Sequence, residues 1–375
     1  MIKKFLKKIF KTISYGIFIK IYGKIEKSID SNSDNRIKVE PINIDESLRY
    51  NVYNISNGRI YTDRIQDVAV LIDKKVIEGP SFQLRHILGS KIYNSNISEN
   101  IVFTKGTPRK LKTLKGSMLS LLTGGGGNNN YWHWLFDVLP RLGLCSKIID
   151  LKQIDYFLLP SCAQKFQSES LNFLNIDKSK WLPSEKFRHV KVDKLIVTDH
   201  PVVTSKNATK DIMNIPSWIS QWLKDNFLKN KEIRSKQKVK KIYIDRSSEV
   251  SQQKPQRLIS NEEEVRECLL KRNFTPIRLH ETKFMDQIEL FNSAECIAGL
   301  HGGGFANITF CKPGTKVIEM RSSEAGDPIK NLAKKNNLNY DSITVKATQI
   351  EKFNFPNQHG SIEIPINSLI QALEK

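Results

Sequence analysis

The stretch Cys296-Ile-Ala-Gly-Leu-His-Gly-Gly-Gly-Phe-Ala-Asn307 decides the fold of the C-terminal half of this chain. An apolar run, predicted as a strand over 296–299, leads into three glycines, and a short helix is predicted to begin near Phe305. A strand, a glycine turn and a helix in this order present free backbone N–H groups at the positive end of the helix, where a phosphate can bind. The residues predicted to form this phosphate site are His301, Gly302, Gly303, Gly304 and Asn307.

Strands and helices alternate regularly around this stretch. The predicted order is strand 241–245, helix 261–272, strand 275–279, helix 284–293, strand 296–299, the glycine turn with its short helix, and strand 316–320. Ser260 followed by Glu263 forms a capping box that predicts the start of the first helix. Such alternation is typical of a parallel sheet with helices on both faces, which binds ligands at the carboxyl ends of its strands.

Two charged residues follow strands of this predicted sheet. Glu319, at the end of the last strand, could accept hydrogen bonds from both hydroxyls of a ribose, although a surface ion pair with Lys316 or Arg321 is a reasonable alternative. Arg246 follows the first strand, where a guanidinium would match a diphosphate. A salt bridge at the strand end explains Arg246 about as well.

The glycine stretch alone leaves other functions open. The dinucleotide-binding pattern requires a third small residue where Asn307 stands, and it usually places its glycine loop after the first strand of the unit. Glu319, however, stands where the ribose-binding acid of that pattern would fall, so an NAD(P)-dependent oxidoreductase is an alternative. A tight glycine turn with a buried histidine is another. The chain contains no Asp-x-Asp sequence, which argues against the metal-chelating class of nucleotide-sugar transferases.

A second unusual stretch is Thr123-Gly-Gly-Gly-Gly-Asn-Asn-Asn-Tyr-Trp-His-Trp-Leu-Phe-Asp-Val-Leu-Pro-Arg141. The glycines indicate a mobile loop, and a helix is predicted over about 131–148 that Pro140 should end or kink. His133, Asp137 and Arg141 recur every four residues along one polar stripe. A His–Asp pair facing a cleft can accept a proton from an acceptor hydroxyl. The alternative is a helix-stabilising Asp137–Arg141 pair with a capping histidine.

With 375 residues, of which 39% are apolar and 26% charged, the chain is long enough for two globular domains. We predict an N-terminal domain over 46–228 and a C-terminal domain, which holds the predicted phosphate site, over 241–345. Polar and charged stretches predict linkers at 28–45 and 229–240. Residues 346–375 are predicted to form a tail that ends in a short helix.

The first 27 residues are predicted to form a basic amphipathic helix. Its apolar residues recur at helical spacing between Lys3, Lys4, Lys7, Lys8 and Lys11, without the run of about 18 apolar residues that spanning requires. We expect residues 2–27 to lie on an anionic membrane surface; a helix packed on the core with a solvated face is the alternative.

The formal net charge of +20 favours an anionic partner such as phosphates, an acidic glycan or anionic lipid. Signatures of nucleic-acid-binding motifs do not occur in the sequence, so nucleic acid is not an expected partner, although a non-catalytic polyanion-binding module stays open. Five scattered cysteines indicate reduced core residues, and no zinc-site spacing predicts a metal or other cofactor. We expect a cytoplasmic protein, peripheral on the inner face of the cytoplasmic membrane.

Six blocks, in order over about residues 120–325, resemble glycosyltransferase family 61. They are Asn130-Tyr-Trp-His-Trp-Leu-Phe-Asp-Val-Leu-Pro-Arg141, Tyr243-Ile-Asp-Arg246, Ile259-Ser-Asn-Glu-Glu263, Gln287-Ile-Glu-Leu-Phe291, His301-Gly-Gly-Gly-Phe-Ala-Asn307 and Pro313-Gly-Thr-Lys-Val-Ile-Glu319. The resemblance implies an α/β fold of the GT-B type, with two Rossmann-like domains facing across a cleft, and an inverting mechanism that needs no metal. Bacterial relatives are commonly assigned to capsule or other surface polysaccharide synthesis.

The resemblance also implies donor-binding roles for single residues. The loop from His301 to Gly304 and the later Glu319 would bind the donor nucleotide, and Arg246 matches the family's arginine after the first C-terminal strand. Gly303 stands where relatives often have alanine, a change of little consequence for a backbone site.

The predicted reaction is transfer of a hexose or pentose from a nucleoside-diphosphate sugar to a glycan or lipid-linked glycan. On the acceptor side, we predict that Asp137 is the catalytic base and that His133 holds it in place. Arg141 and Asn130 are predicted to support the acceptor or the local structure.

Overall fold

The computed structural model describes residues 2–62, 68–87, 91–104, 106–124, 129–229, 239–246, 257–348 and 360–375. The chain divides into two compact units, one formed by residues 1–87 with 92–211 and the other by residues 88–91 with 212–375. The glycines at 125–127 and most of the predicted linker at 229–240 fall outside the described residues.

The first unit is built on a ten-stranded mixed sheet. Its strands are β1 (Lys27–Ile29), β2 (Ile37–Asn43), β3 (Arg49–Ser56), β4 (Arg59–Thr62), β5 (Val68–Ile72), β6 (Lys75–Ile77), β9 (Lys112–Ser120), β10 (Tyr156–Leu159), β11 (Trp181–Pro183) and β12 (His189–Thr198), while β7 (Leu84–Ile87) and β8 (Lys91–Asn94) form a separate pair. Its helices are α1 (Ile2–Tyr22), α2 (Tyr131–His133), α3 (Pro140–Cys145), α4 (Lys165–Phe173) and α5 (Ala208–Ile212).

Only part of this sheet has the parallel order of a Rossmann-like domain. β12, β9, β10 and β11 are parallel neighbours, whereas β2 to β6 enter the sheet through antiparallel pairs. The two residues Asp73 and Lys74 that join β5 to β6 permit a hairpin but are far too few for a parallel crossover. The first unit therefore differs from the simple Rossmann-like domain that the resemblance implied.

The segment 28–45, predicted to be a linker, also contributes to this sheet. β2 pairs along its whole length with β3, from Ile37 opposite Ile55 to Asn43 opposite Arg49. Ile37 of β2 is buried in the apolar core of the first unit. A segment that is polar on average can therefore form a strand when a few of its apolar side chains are buried.

The second unit contains a five-stranded parallel sheet. The strands of this sheet are β13 (Lys241–Ile244), β15 (Thr275–Ile277), β16 (Cys296–Leu300), β17 (Lys316–Ser322) and β18 (Asn339–Val345). Two further strands of the unit, β14 (Arg257–Ile259) and β19 (Gly360–Ile362), form a separate pair. The helices of the second unit are α6 (Ser217–Phe227), α7 (Glu262–Leu270), α8 (Phe284–Ser293), α9 (Pro328–Lys335), α10 (Ile366–Glu374) and a 3₁₀ helix over Gly303–Phe310.

The order of the five parallel strands confirms the sheet that the alternation predicted. The sheet runs β15-β13-β16-β17-β18, so that its first and third strands, β13 and β16, are neighbours. This is one of the two common doubly wound orders. All five residues of β16 are buried, as expected for a strand with both faces covered.

Helix α6, predicted for the first domain, belongs to the second unit. The ring of Phe227 at its end contacts the rings of Phe284 and Phe310 edge-on, with centroids 5.1 and 6.3 Å apart. Burial of these aromatic rings places the helix in the second core.

The predicted capping box at the start of α7 is wrong. The helix begins after Asn261, and Ser260 instead donates its hydroxyl to the Ile362 carbonyl at 3.3 Å, because β14 pairs with β19 just before it. The Asn261 side-chain amide donates to the Ile364 carbonyl and accepts from the Ile364 N–H, each at 2.9 Å. These bonds, together with buried Leu369 of α10, make the predicted tail part of the second core.

Replacing Asn261 with alanine should therefore lower the free energy of unfolding by about 1–3 kcal/mol, because it leaves the buried Ile364 backbone without partners. Ser260→Ala, which removes one long hydrogen bond, is the matched control and should cost less than about 1 kcal/mol. Urea denaturation measures both. Equal losses for the two variants would contradict this account of how α7 begins.

Candidate functional site

The carboxyl ends of β13 and β16 lie side by side in the second unit. Ile244 is opposite Gly299 in the parallel register, so that the chain leaves β13 at Asp245-Arg246 next to the place where it leaves β16 at His301. Neighbouring first and third strands form the switch point of a doubly wound sheet, where ligands bind.

The three glycines occupy the start of the 3₁₀ helix that follows β16. The first helical hydrogen bond runs from the Phe305 N–H to the Gly302 carbonyl at 3.1 Å. The N–H groups of Gly302, Gly303 and Gly304 precede it, and none has a backbone acceptor in the described part of the chain. Unpaired N–H groups at a helix start carry partial positive charge and can bind an anion.

Two of these glycines lie close to side chains from other segments. A Cβ at Gly302 would lie 3.1 Å from Nη1 of Arg246, so the arginine packs directly against the glycine turn. A Cβ at Gly304 would lie only 2.7 Å from Cδ1 of the half-buried Leu279. Gly302 thus leaves space for a cation, while Gly304 allows the helix to pack closely on the sheet.

A buried carboxylate holds the histidine that begins the turn. Glu319 has no exposed surface; one of its oxygens contacts Nδ1 of His301 and the other accepts a 2.5 Å hydrogen bond from the Tyr340 hydroxyl. The guanidinium of Arg321 lies 3.9 Å from the same oxygen as Tyr340. Burial first, and the Glu319 charge next, raise the pKa of Tyr340, which keeps its hydroxyl protonated as a donor.

Two of the predicted donor-binding residues are not accessible in this structure. Glu319 is fully enclosed, and so is Asn307, whose amide donates to Gln287 of α8 at 2.9 Å. Gln287 in turn donates to the Leu279 and Thr282 carbonyls. Both predicted residues therefore connect to other protein groups. Gly302 to Gly304 and Arg246 are half-buried at the switch point, and His301 is 9% exposed.

Arg257 is a further basic residue near the switch point that sequence reasoning missed. It lines one small cavity together with Arg246 and Leu300, and a second one together with His301. Burial, and then the nearby Arg246 charge, lower the pKa of Arg257. Nothing in the sequence pointed to it, because the polar segment before it has no helical or strand period.

The second predicted cluster lies within the first unit. α2, a π-helical turn over Trp134–Val138, and α3 follow one another without a break, and the Leu139 N–H bonds the Trp134 carbonyl five residues back at 3.0 Å. The wider turn allows Pro140, which has no N–H, to begin α3. Such π turns are frequent at functional sites.

The predicted His–Asp pair is formed within this helical run. Nδ1 of His133 lies 2.6 Å from Oδ2 of Asp137; the His133 side chain is 24% exposed and that of Asp137 only 5%. Burial opposes the charge on His133, but the Asp137 carboxylate outweighs it and raises the pKa of His133. Burial alone would raise the pKa of Asp137, but the nearby His133, His200 and Arg141 outweigh it, so the pKa is lowered.

Arg141 and Asn130 have structural contacts in this cluster. Arg141 is buried and donates to the Asp137 carbonyl at 3.2 Å and to the Thr198 carbonyl of β12 at 3.1 Å. The Asn130 side chain accepts from the Trp132 N–H at 3.0 Å and caps α2.

His200 is a third titratable residue of this cluster and was missed in the sequence. Its Nδ1 accepts from the Val202 and Val203 N–H groups at 3.1 and 2.9 Å, which fixes the ring proton on Nε2. Burial lowers the pKa of His200 to about 3. Its Nε2 is buried and has no hydrogen-bond partner among the described residues.

Comparison with known families gives one match. The model of a family described as Glycosyltransferase 61 matches residues 131–318, which is half of the chain. The matched region includes both the His133–Asp137 pair and the glycine turn. A search of the curated proteins finds no match.

The opposite pKa shifts of the two histidines can be measured by NMR titration. His133 should titrate above its ordinary value of 6.5, whereas His200 should stay neutral down to a pH of about 3. Asp137→Asn should move the His133 pKa below 6.5, because burial then acts alone. The stability that protonated His133 gains from Asp137 is present below pH 6.5 and is lost as the pH rises through its raised pKa. An unchanged His133 titration in the variant would contradict the pairing.

Proposed function

This chain belongs to glycosyltransferase family 61, and from that premise we propose that it transfers a sugar from a nucleoside-diphosphate sugar to a glycan or lipid-linked glycan. Because the family match identifies a glycosyltransferase, it disfavours the two alternative functions, an oxidoreductase and a non-catalytic polyanion-binding module. We further propose inversion at the anomeric carbon, independence from metal, a GT-B arrangement, and a role in bacterial capsule or surface polysaccharide synthesis, as the family resemblance implies.

The observation that carries the proposal is the meeting of the glycine turn and Arg246 at the switch point. The diphosphate would accept hydrogen bonds from the N–H groups of Gly302 to Gly304 and from the guanidinium, whose Nη1 packs against Gly302. Positive charge at this position stabilises the nucleoside diphosphate as it leaves the sugar. Arginine can thus take the charge-neutralising role that a metal has in other transferases.

In this proposal Glu319 acts through His301. Because the carboxylate is fully buried, it cannot reach a ribose, but it fixes the His301 ring through Nδ1. With Nδ1 engaged by Glu319, Nε2 of His301 is the atom left for a phosphate oxygen. Glu319 and Tyr340 are then positioning residues rather than donor ligands.

On the acceptor side, burial favours a reversal of the predicted roles of His133 and Asp137. A general base must reach the hydroxyl whose proton it takes. The His133 ring is partly exposed and the Asp137 carboxylate almost wholly buried, so we propose His133 as the base and Asp137 as the group that orients it and stabilises its charged form.

Calorimetric titration with UDP, CDP, GDP and NAD tests the donor site. Binding of one nucleoside diphosphate is expected, and Arg246→Ala should weaken it about tenfold or more, since a hydrogen bond from a charged group is worth about 1.5–3 kcal/mol. Lys312→Ala, which removes a charge from an exposed position of the same unit, is the control and should bind normally. Unchanged affinity in Arg246→Ala, or binding of NAD alone, would overturn the proposed donor site.

Slow hydrolysis of the donor that binds best tests the proposed base without knowledge of the acceptor. His133→Ala should lower turnover about 10²- to 10⁴-fold, because water also needs a base, while nucleotide affinity stays unchanged. His280→Ala, which removes an exposed histidine of the second unit, should retain full turnover. Full turnover in His133→Ala would remove this residue from the mechanism.

A further inference from the structure

Helix α1 presents a continuous stripe of large apolar side chains to solvent. The residues of this stripe, each between 41 and 66% exposed, are Leu6, Ile9, Phe10, Ile13, Ile17 and Ile21. They recur every three or four residues and so lie along one side of the helix for about 22 Å. In the rest of the described chain, only Leu258 and Leu270 are large apolar side chains exposed to this degree.

The opposite side of α1 is fixed to the first unit. Phe18 is fully buried, with its ring 5.2 Å from that of Tyr61. The hydroxyls of Tyr15 and Tyr22 donate to the Phe103 and Arg109 carbonyls, each at 2.6 Å. The helix therefore cannot rotate to bury its apolar stripe without giving up these contacts.

The charge of α1 indicates what covers the stripe. Residues 2–22 include six lysines, and no acidic residue occurs among them. Two copies of this helix packed together would bring like charges close, which is unfavourable at short range. An anionic lipid surface offers both an apolar layer for the stripe and negative headgroups for the lysines.

We propose that α1 lies in the interfacial plane of an anionic membrane, with the apolar stripe inserted among the acyl chains and the first unit seated above it. Among the described residues no helix is long and apolar enough to cross a membrane. The attachment is thus that of a helix lying on the surface. This inference stands on α1 alone and is independent of the donor and acceptor sites.

Vesicle co-sedimentation of the full chain tests the proposal. Vesicles of phosphatidylglycerol mixed with phosphatidylcholine should bind the protein, and Phe10→Asp with Ile13→Asp should weaken the partition at least tenfold. Leu270→Asp replaces an apolar side chain of similar exposure in the second unit and should bind like the unchanged protein. Circular dichroism and urea denaturation check that each variant is folded.

Three results would overturn the inference. The first is equal vesicle binding by the α1 double variant, and the second is equal binding to vesicles of phosphatidylcholine alone, which would remove the role of charge. The third is a lipid-free dimer in light scattering that the double variant abolishes, together with no binding to either vesicle. That result would assign the stripe to a second copy of the chain.

Discussion

The carboxyl edge of the sheet in the second unit depends on one carboxylate that has no access to water. A buried charge is tolerated only when partners replace its hydration, and Glu319 has three of them: His301, Tyr340 and Arg321. His301 follows β16, Glu319 lies on β17 and Tyr340 on β18, so that these contacts join three adjacent strands at their carboxyl edge. The turn that begins at His301 is thereby held in one place before any ligand arrives.

This constraint supports the proposal that the turn is an anion site. Free N–H groups bind a phosphate well only if they do not have to be arranged at the moment of binding. The packing of Gly304 against Leu279 fixes one end of the turn, and the buried carboxylate fixes the other. Arg246 reaches Gly302 because the strand order puts β13 next to β16.

Sequence reasoning predicted the parts of this site that depend on local patterns. Four strands of the parallel sheet (β13, β15, β16 and β17), helix α8 and the glycine turn follow from apolar period and glycine content, and α8 has the bounds that were predicted. Strands β14, β18 and β19 were not predicted. The turn and the family blocks were therefore visible in the sequence. Family membership, established by the match over 131–318, agrees with the resemblance.

What the sequence did not show are contacts between distant segments. Tyr340 lies 21 residues after Glu319, and only the pairing of β17 with β18 brings them together. The antiparallel half of the first sheet was not predicted for the same reason, because the local hydrophobic pattern of a strand does not specify which strand it pairs with. The spacing of His133 and Asp137 predicted that they pair, but not that His133 is the more exposed of the two.

The central claim is that the N–H groups of Gly302 to Gly304 hold the diphosphate of the donor. A crystal structure of the full chain with the best-binding nucleoside diphosphate tests it most directly. The account predicts phosphate oxygens within about 3 Å of these nitrogens and of the Arg246 guanidinium. A nucleotide bound elsewhere, with the glycine turn closed over by protein atoms, would contradict it.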